Sequence, residues 1–86
     1  MAYRLLVMSD RGQQRFVLPT GENLVGSDPA CDIHLAHPSV SQRHAVVEVS
    51  PDHVSLRDLG SSNGTTAGAR RVTSCELSPG TALYFG

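Results

Sequence analysis

Short apolar runs recur along the chain, and residues that favour turns separate each run from the next. No run keeps helical spacing of its apolar residues over the usual length of a helix. The regular spacing of the turn residues is typical of a β-sandwich or barrel. The pattern predicts an all-β fold with strands at Tyr3–Met8, Arg15–Leu18, Asn23–Gly26, Asp32–Leu35, His44–Val49, Val54–Asp58, Thr65–Thr66, Arg71–Val72 and Ala82–Phe85.

Alternation within a strand predicts which side chains face the core, because residues two apart share a face. In the strand Val54–Asp58, Leu56 shares the apolar face with the first residue, and Asp58 falls on that face too. A carboxylate that points inward is unfavourable unless its oxygens accept hydrogen bonds. The following segment, Leu59–Gly64, offers several backbone N–H groups. We therefore expect Asp58 to organise that turn.

The chain length of 86 residues matches one compact domain and leaves no room for a second hydrophobic core. A domain of this size buries about two thirds of the surface of its unfolded chain, which argues against a deep active site. The last strand, Ala82–Phe85, has no closing partner strand after it, so we expect an exposed edge there. Residues 1–86 are therefore predicted to be a single domain, an N-terminal fragment of a longer protein. The edge would also allow a strand-exchanged dimer.

The charges nearly balance, with a formal net charge of -1, and all seven basic residues are arginine. This composition excludes bulk attraction to nucleic acid or to an anionic membrane, so any anion site must be built locally. The N-terminus does not resemble a signal peptide, and no stretch approaches the roughly 20 apolar residues of a membrane-spanning helix. We expect a cytoplasmic protein.

Enzymatic and metal chemistry find little support. Cys31 and Cys75 lie far apart and outside any Cys/His ligand spacing, so neither a disulfide nor a zinc site is indicated. Ser41, His44 and Asp58 are the residue types of a hydrolase triad, but Ser41 lacks the Gly-x-Ser-x-Gly elbow. We predict no catalysis, no metal site and no cofactor.

Five segments occur in a characteristic order: Gly26-Ser27, "DPACDIHL", "PSVSQRHA", "VSLRDLGSSNGT" and "LSPGTALYFG". Each segment alone is typical of a turn followed by a strand and specifies no activity. Together they closely resemble the forkhead-associated (FHA) domain, a phosphothreonine-reading family, over about Leu24–Gly86. The resemblance implies a β-sandwich of eleven strands, of which this chain supplies about ten, with the last one missing. It also indicates a bacterial regulatory protein, active in signal transduction or transcription regulation.

The resemblance implies a role for each motif residue. Ser41 would offer its hydroxyl and its backbone N–H to phosphate oxygens, and Asn63 would hold the peptide main chain just beyond the phosphothreonine. Ser62 would lie near the threonine methyl group, while Gln42 occupies the variable position after the motif serine. The residues with a structural role are Gly26, which permits a backbone conformation that other residues resist, His44, Asp58 and Gly64.

One position departs from the family pattern. The family commonly has Gly-Arg where this chain has Gly26-Ser27, and that arginine supplies the cation that faces the phosphate. A hydrogen bond to a charged group contributes roughly 1.5–3 kcal/mol, so losing it weakens binding by about ten- to a hundredfold. Ser27 keeps a hydroxyl donor, and Arg43, Arg70 or Arg71 would compensate if a loop brought it across the site. Arg43 is the nearest of them in sequence to the motif serine.

Two functions remain open at this point. The first is a non-catalytic module that binds a threonine-phosphorylated protein, or a phosphorylated segment of its own parent chain. The second is a structural or assembly module that binds partners independently of phosphorylation, as in bacterial secretion-system components. Ser27 motivates the second function. Ser41 and Asn63 favour the first, because a module that had lost phosphate recognition would not need to keep either.

Overall fold

The computed structural model describes residues 3–9 and 12–86. These residues contain no helix, and so none that could cross a membrane. They form the strands β1 (Tyr3–Ser9), β2 (Gly12–Leu18), β3 (Gly21–Gly26), β4 (Ile33–His34), β5 (Ala45–Val49), β6 (Val54–Asp58), β7 (Thr65–Ala67), β8 (Arg70–Val72), β9 (Ser74–Leu77) and β10 (Ala82–Phe85).

The strands build two five-stranded sheets. The first sheet has the order β2-β1-β10-β7-β8, and the second has the order β4-β3-β5-β6-β9. Most neighbours run antiparallel, whereas β1 pairs with β10 and β3 pairs with β4 in parallel. The predicted all-β sandwich of about ten strands is therefore confirmed.

Side chains from both sheets form one core. Leu5 and Leu83 come from the first sheet and Val47 and Leu56 from the second, and each is at most 1% exposed. All four belong to a single cluster of buried side chains. Fully burying a side chain of this size contributes about 1.5–3 kcal/mol. Packing between the inner faces therefore holds the sandwich together.

Strand β9 is the one element that the apolar pattern does not predict. It has four residues, and only Leu77 is buried. Its pairing with β6, from Arg57 opposite Ser74 to Val54 opposite Leu77, defines it as a strand. Because those partners lie about 20 residues apart along the chain, no local sequence pattern indicates that they pair.

The exposed edge predicted at the last strand is wrong. Strand β10 lies inside the first sheet, where it pairs with β1 on one side and with β7 on the other. The edges of that sheet are β2 and β8, and those of the second sheet are β4 and β9. The strand-exchanged dimer stays a prediction, without the open edge on β10 that motivated it.

Replacing Leu83 tests the core. Leu83 is fully buried, so Leu83→Ala should leave a cavity and lower the free energy of unfolding by about 2–5 kcal/mol. Val17 is 67% exposed on β2, so Val17→Ala should change that free energy by no more than about 0.5 kcal/mol. Urea unfolding followed by circular dichroism measures both. Equal effects would contradict the placement of Leu83.

Candidate functional site

Three loops of the sandwich meet at Ser41. The Ser27 backbone N–H donates to the Ser41 carbonyl at 3.0 Å, and the Ser62 backbone N–H donates to Ser41 Oγ at 3.1 Å. Ser41 therefore contacts both neighbouring loops. The loops are the β3–β4 loop (27–32), the β4–β5 loop (35–44) and the β6–β7 loop (59–64).

The hydroxyl and the backbone N–H of Ser41 differ in whether they are free to donate a hydrogen bond to a ligand. Its hydroxyl oxygen accepts the Ser62 N–H, so the hydroxyl hydrogen remains available for an outside acceptor. Its backbone N–H donates to His44 Nδ1 at 3.1 Å. The hydroxyl hydrogen is thus available, whereas the backbone N–H, which the resemblance also assigns to the phosphate, is already paired inside the loop.

His44 connects two of the loops from within the core. It is fully buried, its Nδ1 accepts the Ser41 N–H, and its Nε2 donates to the Gly64 carbonyl at 2.7 Å. Because Nδ1 is an acceptor here, the ring proton sits on Nε2. Phe85 packs edge-on against the ring, with centroids 5.6 Å apart and planes at 89°. These contacts agree with a structural role for His44.

Asp58 holds the β6–β7 loop in shape. Its Oδ1 accepts the backbone N–H groups of Gly60 and Ser61, both at 2.8 Å. Its Oδ2 accepts the hydroxyls of Ser61 at 2.6 Å and Thr65 at 2.7 Å. Ser61 Oγ then accepts the Gly64 N–H at 3.0 Å. The inward-facing carboxylate is therefore satisfied, and it organises the turn as expected.

The hydrogen bonds also set the charge of this carboxyl group. Burial raises the pKa of Asp58, but the hydroxyls of Ser61 and Thr65 and the N–H groups of Ser61 and Gly60 outweigh it. Together they lower the pKa from 3.8 to about 2. Asp58 is therefore a carboxylate at neutral pH, and its oxygens accept the hydrogen bonds that shape the turn.

Asn63 reaches from the β6–β7 loop to the β4–β5 loop. Its Nδ2 donates to the Ser39 carbonyl at 2.8 Å, which leaves Oδ1 and one amide hydrogen for a peptide backbone. Ser39 is held in turn by His37, whose Nδ1 accepts the Ser39 hydroxyl at 2.7 Å and the Ser39 N–H at 3.1 Å. Sequence reasoning assigned neither His37 nor Ser39 a role at this site. The only available signal was their nearness to the motif serine.

Gly26 is required for a different reason than the sequence indicates. It is not among the residues with positive φ, so no unusual backbone conformation demands glycine. Instead, a Cβ at this position would collide with the Gln42 carbonyl and lie 3.0 Å from Cys31 Sγ. The end of β3 thus lies directly against the β4–β5 loop. This close approach puts Ser27 beside Ser41.

Of the three arginines considered as replacement cations, Arg71 contacts the β6–β7 loop. A Cβ built on Gly64 would lie 2.6–2.7 Å from its Nε, Cζ and Nη2 atoms. Arg43 is exposed, two residues after Ser41. Burial and Asp28 raise the pKa of the Cys31 thiol, and the charge of Arg43 opposes them. Arg43 therefore lies near the β3–β4 loop.

The sequence model of the FHA domain matches residues 23–86. This chain belongs to the FHA domain family. It is 44% identical to mediator of DNA damage checkpoint protein 1 of Rattus norvegicus over 55 residues, which are 62% of this chain and 4% of that protein. The FHA chain thus spans a small part of that relative.

A bacterial relative and a solved structure agree with this assignment. The oxoglutarate dehydrogenase inhibitor of Corynebacterium jeikeium is 35% identical over 72 residues, which are 84% of this chain and 50% of that protein. It supports the predicted bacterial origin. A structure from a study of phosphothreonine-dependent FHA domain interactions superposes with a TM-score of 0.87 at 27% identity, covering 100% of this chain and 88% of the other.

Asp58→Asn should destabilise the domain in a pH-dependent way. The folded pKa of about 2 lies below the value of 3.8 for an unperturbed carboxyl, so the contribution of Asp58 is fully present above about pH 4 and is lost as pH falls through about 2. At pH 7 the variant should lose roughly 1–3 kcal/mol of unfolding free energy, because buried donors lose their acceptor.

Urea unfolding of wild type and variant between neutral and acidic pH measures this difference. It should shrink as pH falls through the window, since wild-type Asp58 is itself protonated there. Asp52→Asn is the matched control, because Asp52 is exposed and its replacement should change little. A difference that stays constant over the whole pH range would contradict the role of the Asp58 charge.

Proposed function

We propose that this FHA domain is a non-catalytic module that binds a threonine-phosphorylated segment, on a partner protein or on its own parent chain. The observation that carries the proposal is the meeting of three loops at Ser41, whose hydroxyl hydrogen is available beside the exposed amide of Asn63. The likeness to a structure from a study of phosphothreonine-dependent interactions supports it.

The phosphate would be held mainly by hydrogen bonds. A phosphothreonine carries a charge of about -1.5 to -2 and three acceptor oxygens. The hydroxyls of Ser41 and Ser27 come from adjoining loops and would donate to it. Arg43 would supply positive charge from the side of the β3–β4 loop. Gln42 is exposed at the rim and would contact the peptide there.

The peptide main chain would be held at the β6–β7 loop. Asn63 has an acceptor oxygen and one amide hydrogen left after its bond to Ser39, and an extended peptide presents both partners. Ser62 is exposed beside Asn63 and would contact the threonine methyl group. Phosphate and main chain would then be bound by different loops, so that phosphorylation and peptide conformation are both required.

The arrangement of the serine, histidine and aspartate disfavours hydrolase chemistry. His44 accepts the backbone N–H of Ser41, not its hydroxyl. Asp58 accepts hydrogen bonds from its own turn and from Thr65. No relay from carboxylate to imidazole to hydroxyl is formed among these three residues. This geometry supports a binding module without catalysis.

The wider setting follows from the relatives. We place residues 1–86 as a single recognition domain within a longer bacterial regulatory protein, acting in the cytoplasm in signalling or transcription regulation. Both curated relatives described above are at least twice as long as the part that this chain matches. A recognition domain of this kind would bring its parent protein to a phosphorylated partner.

Replacing Ser41 tests the phosphate site. A labelled degenerate phosphothreonine peptide pool and its threonine counterpart are titrated by fluorescence anisotropy, and wild type should bind the phosphorylated pool. Ser41→Ala removes a donor to a charged group, so binding should weaken by about ten- to a hundredfold. Ser50→Ala is the control, because the Ser50 hydroxyl donates to the His53 carbonyl and accepts the His53 N–H. Equal binding of both pools by wild type would overturn the proposal.

A second function, assembly independent of phosphorylation, is favoured by Ser27 in place of the family's arginine. Ser27→Arg separates the two functions. If the rest of the phosphate site is intact, this variant should bind the phosphorylated pool about ten- to a hundredfold more tightly. Ser78→Arg, with the same charge change in the β9–β10 turn, should not. An unchanged response of the Ser27 variant to both pools would support the assembly function instead.

A further inference from the structure

His37 and Asn63 both bind Ser39, one from within the β4–β5 loop and the other from the β6–β7 loop. His37 Nδ1 accepts the hydroxyl of Ser39 at 2.7 Å and its N–H at 3.1 Å, and the Ser39 carbonyl accepts Asn63 Nδ2 at 2.8 Å. We propose that His37 positions Asn63 through Ser39, and that protonation of its imidazole weakens binding of the phosphorylated peptide. This inference rests on the proposed function and adds a control by pH to it.

A β-turn fixes the geometry of His37 relative to Ser39. The Val40 N–H donates to the His37 carbonyl at 3.0 Å, so residues 37–40 form the turn. Pro38 occupies its second position, where the fixed φ of proline suits a turn. Asn and Asp at the first position of a turn commonly accept the N–H of the residue two further on, as His37 does here. His37 therefore takes a place that asparagine could also occupy.

The imidazole of His37 holds the backbone of Ser39 only while Nδ1 is unprotonated. Because Nδ1 accepts a backbone N–H, the ring proton sits on Nε2. When a second proton binds Nδ1, both ring nitrogens become donors and the Ser39 N–H loses its acceptor. The Ser39 hydroxyl can turn to accept, but the backbone N–H cannot. Histidine is the side chain whose charge commonly changes between about pH 5 and 8, so acidification removes this backbone contact.

Ser39 has little space in which to adjust to that change. A Cβ built on Gly86 would collide with the Ser39 carbonyl and lie 2.7 Å from its Oγ. Loss of the bond to His37 is therefore passed on to the Ser39 carbonyl, which holds the amide of Asn63. Asn63 is exposed, and without this bond its side chain must be ordered when the peptide binds. That ordering costs conformational entropy and weakens the complex.

Other titratable groups face the same side of His37. His37 is half-buried and lines a cavity between the β4–β5 loop and strands β1, β2 and β10. His34 and Tyr84 also line it, but no aspartate, glutamate or arginine of residues 3–9 and 12–86 does. His34 Nε2 contacts the Ser27 carbonyl at 3.1 Å, in a different loop. In a protein that ends at Gly86, the terminal carboxylate adds a charge near this cavity. Variants of His37 leave all of these groups unchanged.

The first test follows Asn63 without a ligand. In proton–nitrogen correlation spectra between about pH 8 and 5, the side-chain amide of Asn63 and the N–H of Ser39 should shift together in the wild type. His37→Asn supplies an acceptor that does not titrate in this range, so the Asn63 shift should be absent. His53→Asn is the matched control, because His53 Nδ1 contacts the Ser50 hydroxyl at 3.2 Å in the β5–β6 turn. An Asn63 signal that ignores pH in the wild type, or responds equally in His37→Asn, overturns the proposal.

The second test measures binding. The degenerate phosphothreonine pool and its threonine counterpart are titrated by fluorescence anisotropy at about pH 7.5 and about pH 5.5. The phosphate itself takes up a proton near pH 6, so the wild type is compared with His37→Asn at each pH. The two should bind alike at the higher pH. At the lower pH the wild type should bind about two- to tenfold more weakly, the range of one neutral hydrogen bond. His37→Ala has no acceptor and should be weakened at both.

Each outcome of the binding test decides the inference. Equal binding by the wild type and His37→Asn at both pH values overturns it while phosphate-dependent binding persists. Tighter binding by the wild type at the lower pH would make the imidazolium a cation for the phosphate, and would also overturn it. If the phosphothreonine and threonine pools bind equally, the proposed function fails and the inference fails with it, even where Asn63 responds to pH in the spectra. Circular dichroism at both pH values confirms that the variants are folded.

Discussion

His44 supplies both of its ring nitrogens to the backbone of two different loops, and the rest of the site depends on this imidazole. Its Nδ1 accepts the N–H of Ser41 and its Nε2 donates to the carbonyl of Gly64, 20 residues away. The ring is fully buried against Phe85. Without the imidazole, a donor and an acceptor would be buried without partners, at about 1–3 kcal/mol each. The core thereby specifies the distance between the two loops.

Other contacts also hold the loops in place from within the fold. Asp58 shapes the β6–β7 loop from inside, and Gly26 lets the β3–β4 loop lie against Gln42. No buried side-chain nitrogen or oxygen of the described residues lacks a hydrogen-bond partner. Hydrogen bonds between polar groups therefore hold the loops in place. The Ser41 hydroxyl hydrogen and Asn63 Oδ1 remain available to bind a ligand.

The distribution of charge distinguishes this chain within its family. Ser27 contributes no charge at the place where the family commonly has arginine, while Arg43 is exposed and Arg71 contacts Gly64 of the β6–β7 loop. A phosphate bound at Ser41 would rely mainly on hydroxyl donors from adjoining loops. Such a site depends on hydrogen-bond geometry more than on one ion pair.

The sequence by itself determined the fold class, every strand except β9, the inward Asp58 and the order of the motifs, because local alternation and turn chemistry express these features. Only the tertiary structure decided that β10 lies between β1 and β7 and that β9 exists at all. The bond from Asn63 to Ser39 and the contact of Arg71 with Gly64 were likewise not predictable. These features arise from residues far apart in the chain or from a hairpin register, and local patterns carry no information on such pairings.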